Sequence, residues 1–211
     1  MQVTVSSGNN INGTLVLPLF EGAQTITDNA EGVPVTLKSQ INRVLSEGDF
    51  KGKANSLMSL YGTEGGKAIL VGLGKEEKST TQTYRDAGAT VVAQHKKSHD
   101  SELTVVFHTS DVDAIIAFSE GMMMRDYKYD IYKKTEEDDE KTPLTARINC
   151  NESDASTLSL AIDRASAVVS GVHLSRDLGN CPPNDMYPMA FAEMAQKWAD
   201  EYDNVKVEVI D

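Results

Sequence analysis

The sequence has few cysteines and no long apolar run. Cys150 and Cys181 are its only two cysteines among 211 residues, too few for a disulfide framework, so we expect free thiols in a reducing compartment. No stretch approaches the roughly 20 apolar residues that cross a bilayer. Residues 1–10 (MQVTVSSGNN) lack both the basic and the apolar part of a secretory signal. These absences predict a cytoplasmic globular protein with no membrane partner.

Basic residues are outnumbered. The chain has 20 Lys and Arg against 32 Asp and Glu, a formal net charge of −12. Such a charge repels phosphate backbones and anionic lipid, which disfavours nucleic-acid binding through a basic face. The apolar fraction of 40% and charged fraction of 25% are those of an ordinary globular protein. The length allows one large domain, or one domain and part of another.

Apolar patterning over residues 1–150 alternates between the periods of strands and helices. Short apolar or alternating runs predict strands near 3–5, 13–20, 56–62, 68–74, 102–108 and 144–149. Apolar residues at helical spacing predict helices near 37–48, 79–98 and 111–124, the last beginning at an Asp111 cap. This alternation predicts an α/β architecture with a largely parallel or mixed sheet.

The last third of the sequence predicts two helices and a strand. The first helix covers about 154–178 and should end at Gly179, which suits the left-handed position after a helix. Pro188 is well placed in the first turn of a second helix that reaches about 202, followed by a strand over 205–209. The apolar stripe of the first helix is Leu158, Ala161, Ile162, Ala165, Val168, Val169 and Val172. The second helix should bury Phe191, Met194, Ala195 and Trp198.

The histidines give weak metal signals. His95 and His99 are four residues apart and could share a helical face, but the zincin pattern needs Glu beside the first His and Lys96 stands there. An exposed helix end flanked by lysines is the preferred interpretation. His108 and His173 are isolated, so hydrogen-bonded structural imidazoles are preferred over ligands or bases.

The remaining candidates for chemistry are equally weak. Gly72 and Gly74 follow a strand as in a dinucleotide site, but Glu77 occupies the place of the third glycine, and acids begin the next helix. A plain strand-to-helix turn is preferred. Cys181 has no positioned His in sequence, so a tolerated small side chain is preferred over a nucleophile. The acidic run 136–140 favours a solvated loop over a weak cation site.

Two blocks of sequence resemble the leucyl (cytosol) aminopeptidase family. The first is the junction Arg176-Asp177-Leu178-x-Asn180-x-Pro182-Pro183-Asn184, followed by Pro188 and a helix rich in Ala, Phe and Glu. It resembles the passage from that family's N-terminal domain into its catalytic domain. The second block, upstream, is Glu120-Gly121 followed by Tyr127, Asp130, Tyr132 and Lys133. It resembles the family's Glu-Gly, Tyr-x-Phe-Asp-x-Tyr-Lys pattern, with Tyr129 in place of the usual Phe.

The resemblance implies an activity that this chain does not carry by itself. The family's enzymes are hexameric peptidases that remove N-terminal amino acids from peptides with two divalent metal ions, Zn or Mn. Their ligands and catalytic arginine lie in the C-terminal domain, whose Asn-Thr-Asp-Ala-Glu-Gly-Arg motif is absent here. The resemblance therefore implies no catalytic, cofactor-binding or metal-binding residue in this chain, which we expect to be inactive alone.

The resemblance also implies an architecture. We expect a macro-domain-like mixed α/β sheet flanked by helices over 1–150, a connecting helix over 151–178, and the start of a truncated catalytic domain over 179–211. The alternative hypothesis is a free-standing macro-like module that binds ADP-ribose or a related nucleotide. It requires a glycine-rich phosphate loop opening onto a helix N-terminus, and the acidic turn after Gly74 argues against it.

Overall fold

The computed structural model describes residues 1–8, 11–26, 33–63, 66–95, 100–133 and 143–210. Their contacts divide the chain into a compact unit, Met1–Ser170, and a second unit from Gly171 onward. The elements in chain order are β1 Gln2–Ser7, β2 Thr14–Phe20, α1 Val35–Ser46, β3 Leu57–Tyr61, β4 Lys67–Gly74, α2 Thr81–His95, β5 Glu102–Val106, α3 Val112–Asp126, β6 Thr145–Cys150, α4 Ala155–Asn180 and α5 Pro188–Ala199.

The strands form one mixed sheet in the order β1-β6-β5-β2-β4-β3. All neighbouring pairs are parallel except β3 and β4, which are antiparallel. The mixed sheet flanked by helices and followed by a long helix confirms the predicted fold class. The sequence order is not the spatial order, because β6 lies between β1 and β5.

The central strands are covered on both faces. On β2, Leu15 and Leu17 belong to the apolar cluster that includes α1, whereas Val16 between them belongs to the cluster that includes α2, α3 and α4. The continuous apolar run of β4 is likewise buried on both sides, as predicted for a strand between two helical layers.

Helices α2 and α3 pack closely because each carries a glycine at the contact. A Cβ built on Gly121 would lie 2.7 Å from the carbonyl carbon of Arg85, and one built on Gly88 would lie 3.0 Å from the carbonyl carbon of Phe118. Beside this contact, Arg85 Nη2 donates to Glu120 Oε2 at 2.7 Å. The Glu120-Gly121 pair of the family-like block therefore supplies one ion pair and one close backbone approach.

Helix α3 begins at its predicted capping residue, whereas α4 does not end at its predicted stop. The Asp111 carboxylate accepts from Asp113 N at 3.0 Å, which confirms the predicted cap. The predicted stop at Gly179 is wrong, because α4 continues to Asn180 and Gly179 does not take the left-handed conformation. Glycine permits a left-handed residue without requiring one, and Pro182 disfavours helical backbone at the residue before it.

The apolar stripe of α4 is narrower than its sequence predicts. Leu158, Ile162, Ala165 and Val169 are buried, whereas Val168 is 60% exposed. None of the helices in the described ranges is both long and apolar enough to cross a membrane.

Pro188 opens α5 directly after Tyr187, as predicted, but two further predictions there are wrong. Phe191 and Trp198 are 52% and 41% exposed rather than buried. Residues 205–209 are not a strand. An amphipathic pattern identifies an apolar face without supplying the surface that covers it, and a strand exists only when a neighbour completes its ladder of hydrogen bonds.

Candidate functional site

A cleft in the first unit lies at the carboxyl ends of three parallel strands. This carboxyl-edge cleft has a volume of about 980 Å³. Its lining comes from the ends of β1, β5 and β6 and from the first turns of α3 and α4, including Ser7, Phe107, His108, Ile115, Asn149, Cys150, Glu152, Asp154, Thr157 and Leu158. Open α/β sheets bind ligands at this edge because the loops that follow the strands converge there.

The electrostatic character of the carboxyl-edge cleft is acidic. Among its described lining residues are Glu152 and Asp154 but no Lys or Arg. At the start of α3 the Asp111 carboxylate already accepts two backbone N–H groups. At the start of α4 the Asp154 carbonyl accepts from Leu158 N at 2.9 Å. A helix N-terminus attracts anions, and an aspartate of this chain immediately precedes both α3 and α4.

Cys150 and His108 in the cleft both favour their neutral forms. Burial raises the pKa of the Cys150 thiol, and the charge of Asp154 raises it further. His108 is exposed at the cleft mouth, yet the protein packed around its ring lowers the pKa of the imidazole by desolvation. A thiol held protonated is a poor nucleophile and a poor metal ligand, so the pair does not resemble an activated Cys–His site.

His95 is buried rather than at an exposed helix end, so the preferred interpretation of that histidine was wrong. Its ring is 2% exposed, and Nε2 lies 2.8 Å from the carbonyl oxygen of Asp100. Desolvation lowers the pKa of this imidazole, and the bond to Asp100 opposes the change. His99 and Lys96 lie outside the described residues. Within the described ranges, no three or more His, Cys, Asp or Glu side chains are grouped so that they could hold a metal ion.

A polar network at the opposite edge of the sheet surrounds His95, and sequence reasoning missed it. Thr14 Oγ1 donates to Asp100 Oδ2 at 2.8 Å, and Lys67 Nζ lies 3.8 Å from the same oxygen. Thr14 is fully buried. The residues involved are separated by up to 86 positions in sequence, so no local spacing could have indicated the network.

Gly72 and Gly74 lie where another segment of the chain packs closely against β4. Gly72 N donates to Ser56 O, and Asn55 N donates to Gly72 O, each at 2.8 Å. A Cβ on Gly72 would lie 2.7 Å from the carbonyl carbon of Gly52. The predicted strand-to-helix turn is present as a short 3-10 turn, Glu76–Lys78, between β4 and α2. The sequence did not predict that residues 52–56 would contact both glycines.

The other residues singled out from the sequence are not among the residues that line the carboxyl-edge cleft. His173 is within α4 and Cys181 follows its end, and both are half-buried. Tyr129 and Tyr132, after α3, have ring centroids 6.1 Å apart. The acidic run 136–140 lies outside the described residues.

Comparison with known proteins identifies the class to which this fold belongs. A family model described as "Cytosol aminopeptidase family, N-terminal domain" matches residues 16–136. The chain is 31% identical over 203 residues to a probable cytosol aminopeptidase of Protochlamydia amoebophila, a match that covers 93% of this chain and 40% of the relative. It is 28% identical over 207 residues to the cytosol aminopeptidase of Pseudomonas aeruginosa, covering 94% of this chain and 41% of the relative.

Solved structures show the same fold. A mutant of tomato leucine aminopeptidase superposes with a TM-score of 0.74 at 23% identity, covering 97% of this chain and 43% of that one. The bottromycin maturation enzyme BotP in complex with Mn superposes with a TM-score of 0.65 at 21% identity, covering 89% of this chain and 36% of that one. These likenesses concern the fold alone.

The chain belongs to the cytosol aminopeptidase family, and the match falls on that family's N-terminal domain. This confirms the resemblance drawn from the Glu120-Gly121 block and from the junction at 176–184. The chain spans about two-fifths of the length of the curated relatives it matches.

Proposed function

We propose that this chain is the N-terminal, non-catalytic assembly portion of a peptidase that removes N-terminal amino acids from peptides. The observation that carries the proposal is coverage, because the relatives are named aminopeptidases and the chain matches only 40% and 41% of their lengths. Most of each relative has no counterpart in residues 1–211, and we propose that the residues that perform catalysis lie in that remaining part.

The described residues do not fit a two-metal centre. Such a centre needs several carboxylate or other ligands converging on two ions, and no group of three potential ligands meets that need in the described part of the chain. Burial raises the pKa of the Cys150 thiol beside the acids of the carboxyl-edge cleft, which disfavours the thiolate that binds a metal ion. We therefore assign the two divalent ions, Zn or Mn, to residues outside 1–211 and derive no catalytic step from this chain.

We propose that these residues contribute a packing unit. The glycine contact and the Arg85–Glu120 ion pair fix α2 against α3, and the sheet is buried between helical layers. We propose the division into a macro-like domain over 1–150, a connecting helix over 151–178 and the first elements of a catalytic domain over 179–211. We also propose that the whole enzyme is a cytoplasmic homo-hexamer acting on peptides.

A hydrolysis assay tests the proposal. The purified chain is incubated with leucine p-nitroanilide and either Mn²⁺ or Zn²⁺, with the Pseudomonas aeruginosa cytosol aminopeptidase assayed alongside as a positive control. We expect no release of p-nitroaniline by the chain. Metal-dependent turnover that survives further purification and disappears with a chelator would refute the assignment of the chemistry to the absent part.

Nucleotide binding is the second candidate function, because the carboxyl-edge cleft occupies the ligand edge of the sheet. Its acidic lining and the Asp111 carboxylate that already accepts the first N–H groups of α3 oppose a pyrophosphate. Calorimetric titration with ADP-ribose decides between the two. Micromolar binding would establish the nucleotide module, and the first proposal predicts no heat of binding.

A further inference from the structure

The amino end of the chain is fixed to the first unit at its first residue. The ammonium nitrogen of Met1 lies 2.9 Å from Asp126 Oδ2, and the Met1 side chain is 1% exposed. That side chain packs against the apolar cluster that includes α2, α3 and α4. The N–H of the following peptide bond, which belongs to Gln2, donates to Leu144 O at 2.9 Å. The charge, the side chain and the peptide bond of the first residue are therefore all engaged within the fold.

Asp126 is suited to hold a cation because of its place in α3. It is the last residue of that helix, where the terminal carbonyl groups carry partial negative charge. A carboxylate at this end is unfavourable unless a cation accompanies it, and the Met1 ammonium is a cation at contact distance. The Asp126 side chain is only 23% exposed, so water screens this attraction less than it screens a fully exposed pair.

The position of β1 makes the attachment of Met1 important. Strand β1 is at the edge of the sheet and pairs only with β6, beginning at Gln2 opposite Thr145. The end of an edge strand can open without disrupting the rest of the sheet, and terminal residues are poorly ordered unless they are tied down. The contacts of Met1 therefore determine how often the amino terminus is free.

We propose that this docking protects the amino terminus of the chain from aminopeptidases. An aminopeptidase must take up the free ammonium group, the first side chain and the first peptide bond together, and here each has a partner inside the first unit. Cleavage requires Met1 and Gln2 to open away from α3 and β6, so its rate follows the population of that open form. The protection does not depend on the function proposed above. Where that function also holds, the docking keeps copies of the enzyme from trimming one another.

The test measures removal of Met1 from the folded protein. The purified chain, with a free Met1 amino group verified by mass spectrometry, is incubated with an aminopeptidase selected because it releases Met from the synthetic peptide MQVTVSSG, residues 1–8. Intact-mass measurements over time follow the loss of Met1. We expect the peptide to lose Met about a hundredfold faster than the folded chain, because a locally open form is a minor population.

Two variants of α3 separate the docking from general stability. Asp126→Asn keeps the side-chain size and removes the charge, and we expect it to lose Met1 about threefold faster than the parent, the effect of one partly exposed ion pair. Asp113→Asn is the matched control, since it makes the same change at an exposed residue in the first turn of the same helix. We expect this control to lose Met1 at the parent rate, and urea unfolding of both variants verifies that they are folded.

Three outcomes would overturn the proposal. They are trimming of the folded parent as fast as the peptide, an unchanged rate in Asp126→Asn, and an equal acceleration in Asp113→Asn. None of them bears on the leucine p-nitroanilide assay, because the aminopeptidase used here is a separate enzyme.

Discussion

Replacing Gly121 with alanine tests whether close packing of α2 and α3 determines the stability of the first unit. Intrinsic helix propensity alone predicts a gain, because Ala is better than Gly in a helix interior by about 1 kcal/mol. The structure predicts a loss. The new Cβ would lie 2.7 Å from the carbonyl carbon of Arg85, inside the 3.0 Å that real Cβ atoms essentially never cross.

The clash cannot be relieved by moving a flexible side chain, since the atoms met are backbone atoms of α2. The two helices must separate, which loosens the Arg85–Glu120 ion pair and the packing around the fully buried Phe118. Overpacking of this kind costs about 1–3 kcal/mol and occasionally more. After the propensity gain of about 1 kcal/mol, we expect Gly121→Ala to lower the free energy of unfolding by about 1 kcal/mol, roughly a fivefold change in the unfolding equilibrium.

Gly171→Ala is the matched control. Gly171 is also within a helix, α4, but a Cβ built there meets nothing within 4 Å. We expect this variant to be neutral or more stable by up to about 1 kcal/mol. Urea unfolding followed by circular dichroism measures both variants. If Gly121→Ala proves as stable as Gly171→Ala, the helix contact is softer than the geometry implies and the reasoning fails.

Two further predictions concern a cap and a titration. Asp111→Ala should lower the free energy of unfolding by about 1 kcal/mol through loss of the bonds to the N–H groups of Asp113 and Ala114, whereas Asp111→Asn should retain most of it in the same urea experiment. Burial lowers the pKa of His95 in the native state. The contribution of the neutral imidazole to the free energy of unfolding should therefore be complete above about pH 6.5, the usual pKa in an unfolded chain. It should fall below that pH, because the unfolded chain binds the proton first. The urea midpoints measured at neutral and at mildly acidic pH should therefore differ less in His95→Gln than in the parent protein. An acid-induced loss of stability that the substitution leaves unchanged would contradict the assignment to His95.

Most of the first unit could be predicted because its signals are local. The Asp111 cap, the alternating strands and the helical face of Leu37, Ile41 and Leu45 all depend on spacing within one element. The position of β6 between β1 and β5 depends instead on contacts across the chain, and single-sequence periodicity carries no information about them.

The wrong predictions for the second unit have the opposite cause. The patterns around Phe191, Trp198 and residues 205–209 were recognised, but burial and strand formation require a second surface, and the described residues do not provide one. The prediction for His95 was wrong for a third reason. Its lysine-flanked position suggested solvent exposure, whereas its ring is buried beside the carbonyl oxygen of Asp100. The size and charge of the carboxyl-edge cleft arise from loops after strands that are far apart in sequence.

The insertion of β6 between β1 and β5 affects how this protein folds and where its sequence can be truncated. Strand β1 finds its sheet neighbour only when β6 has been synthesised, since Gln2 pairs with Thr145. Closing so long a loop delays folding. The family match, residues 16–136, contains neither of these two strands. A protein cut at those limits would keep its recognisable sequence while opening the flank of β5 where Leu103 and Val105 are now fully buried. The segment by which the family is recognised is therefore shorter than the segment that completes the sheet.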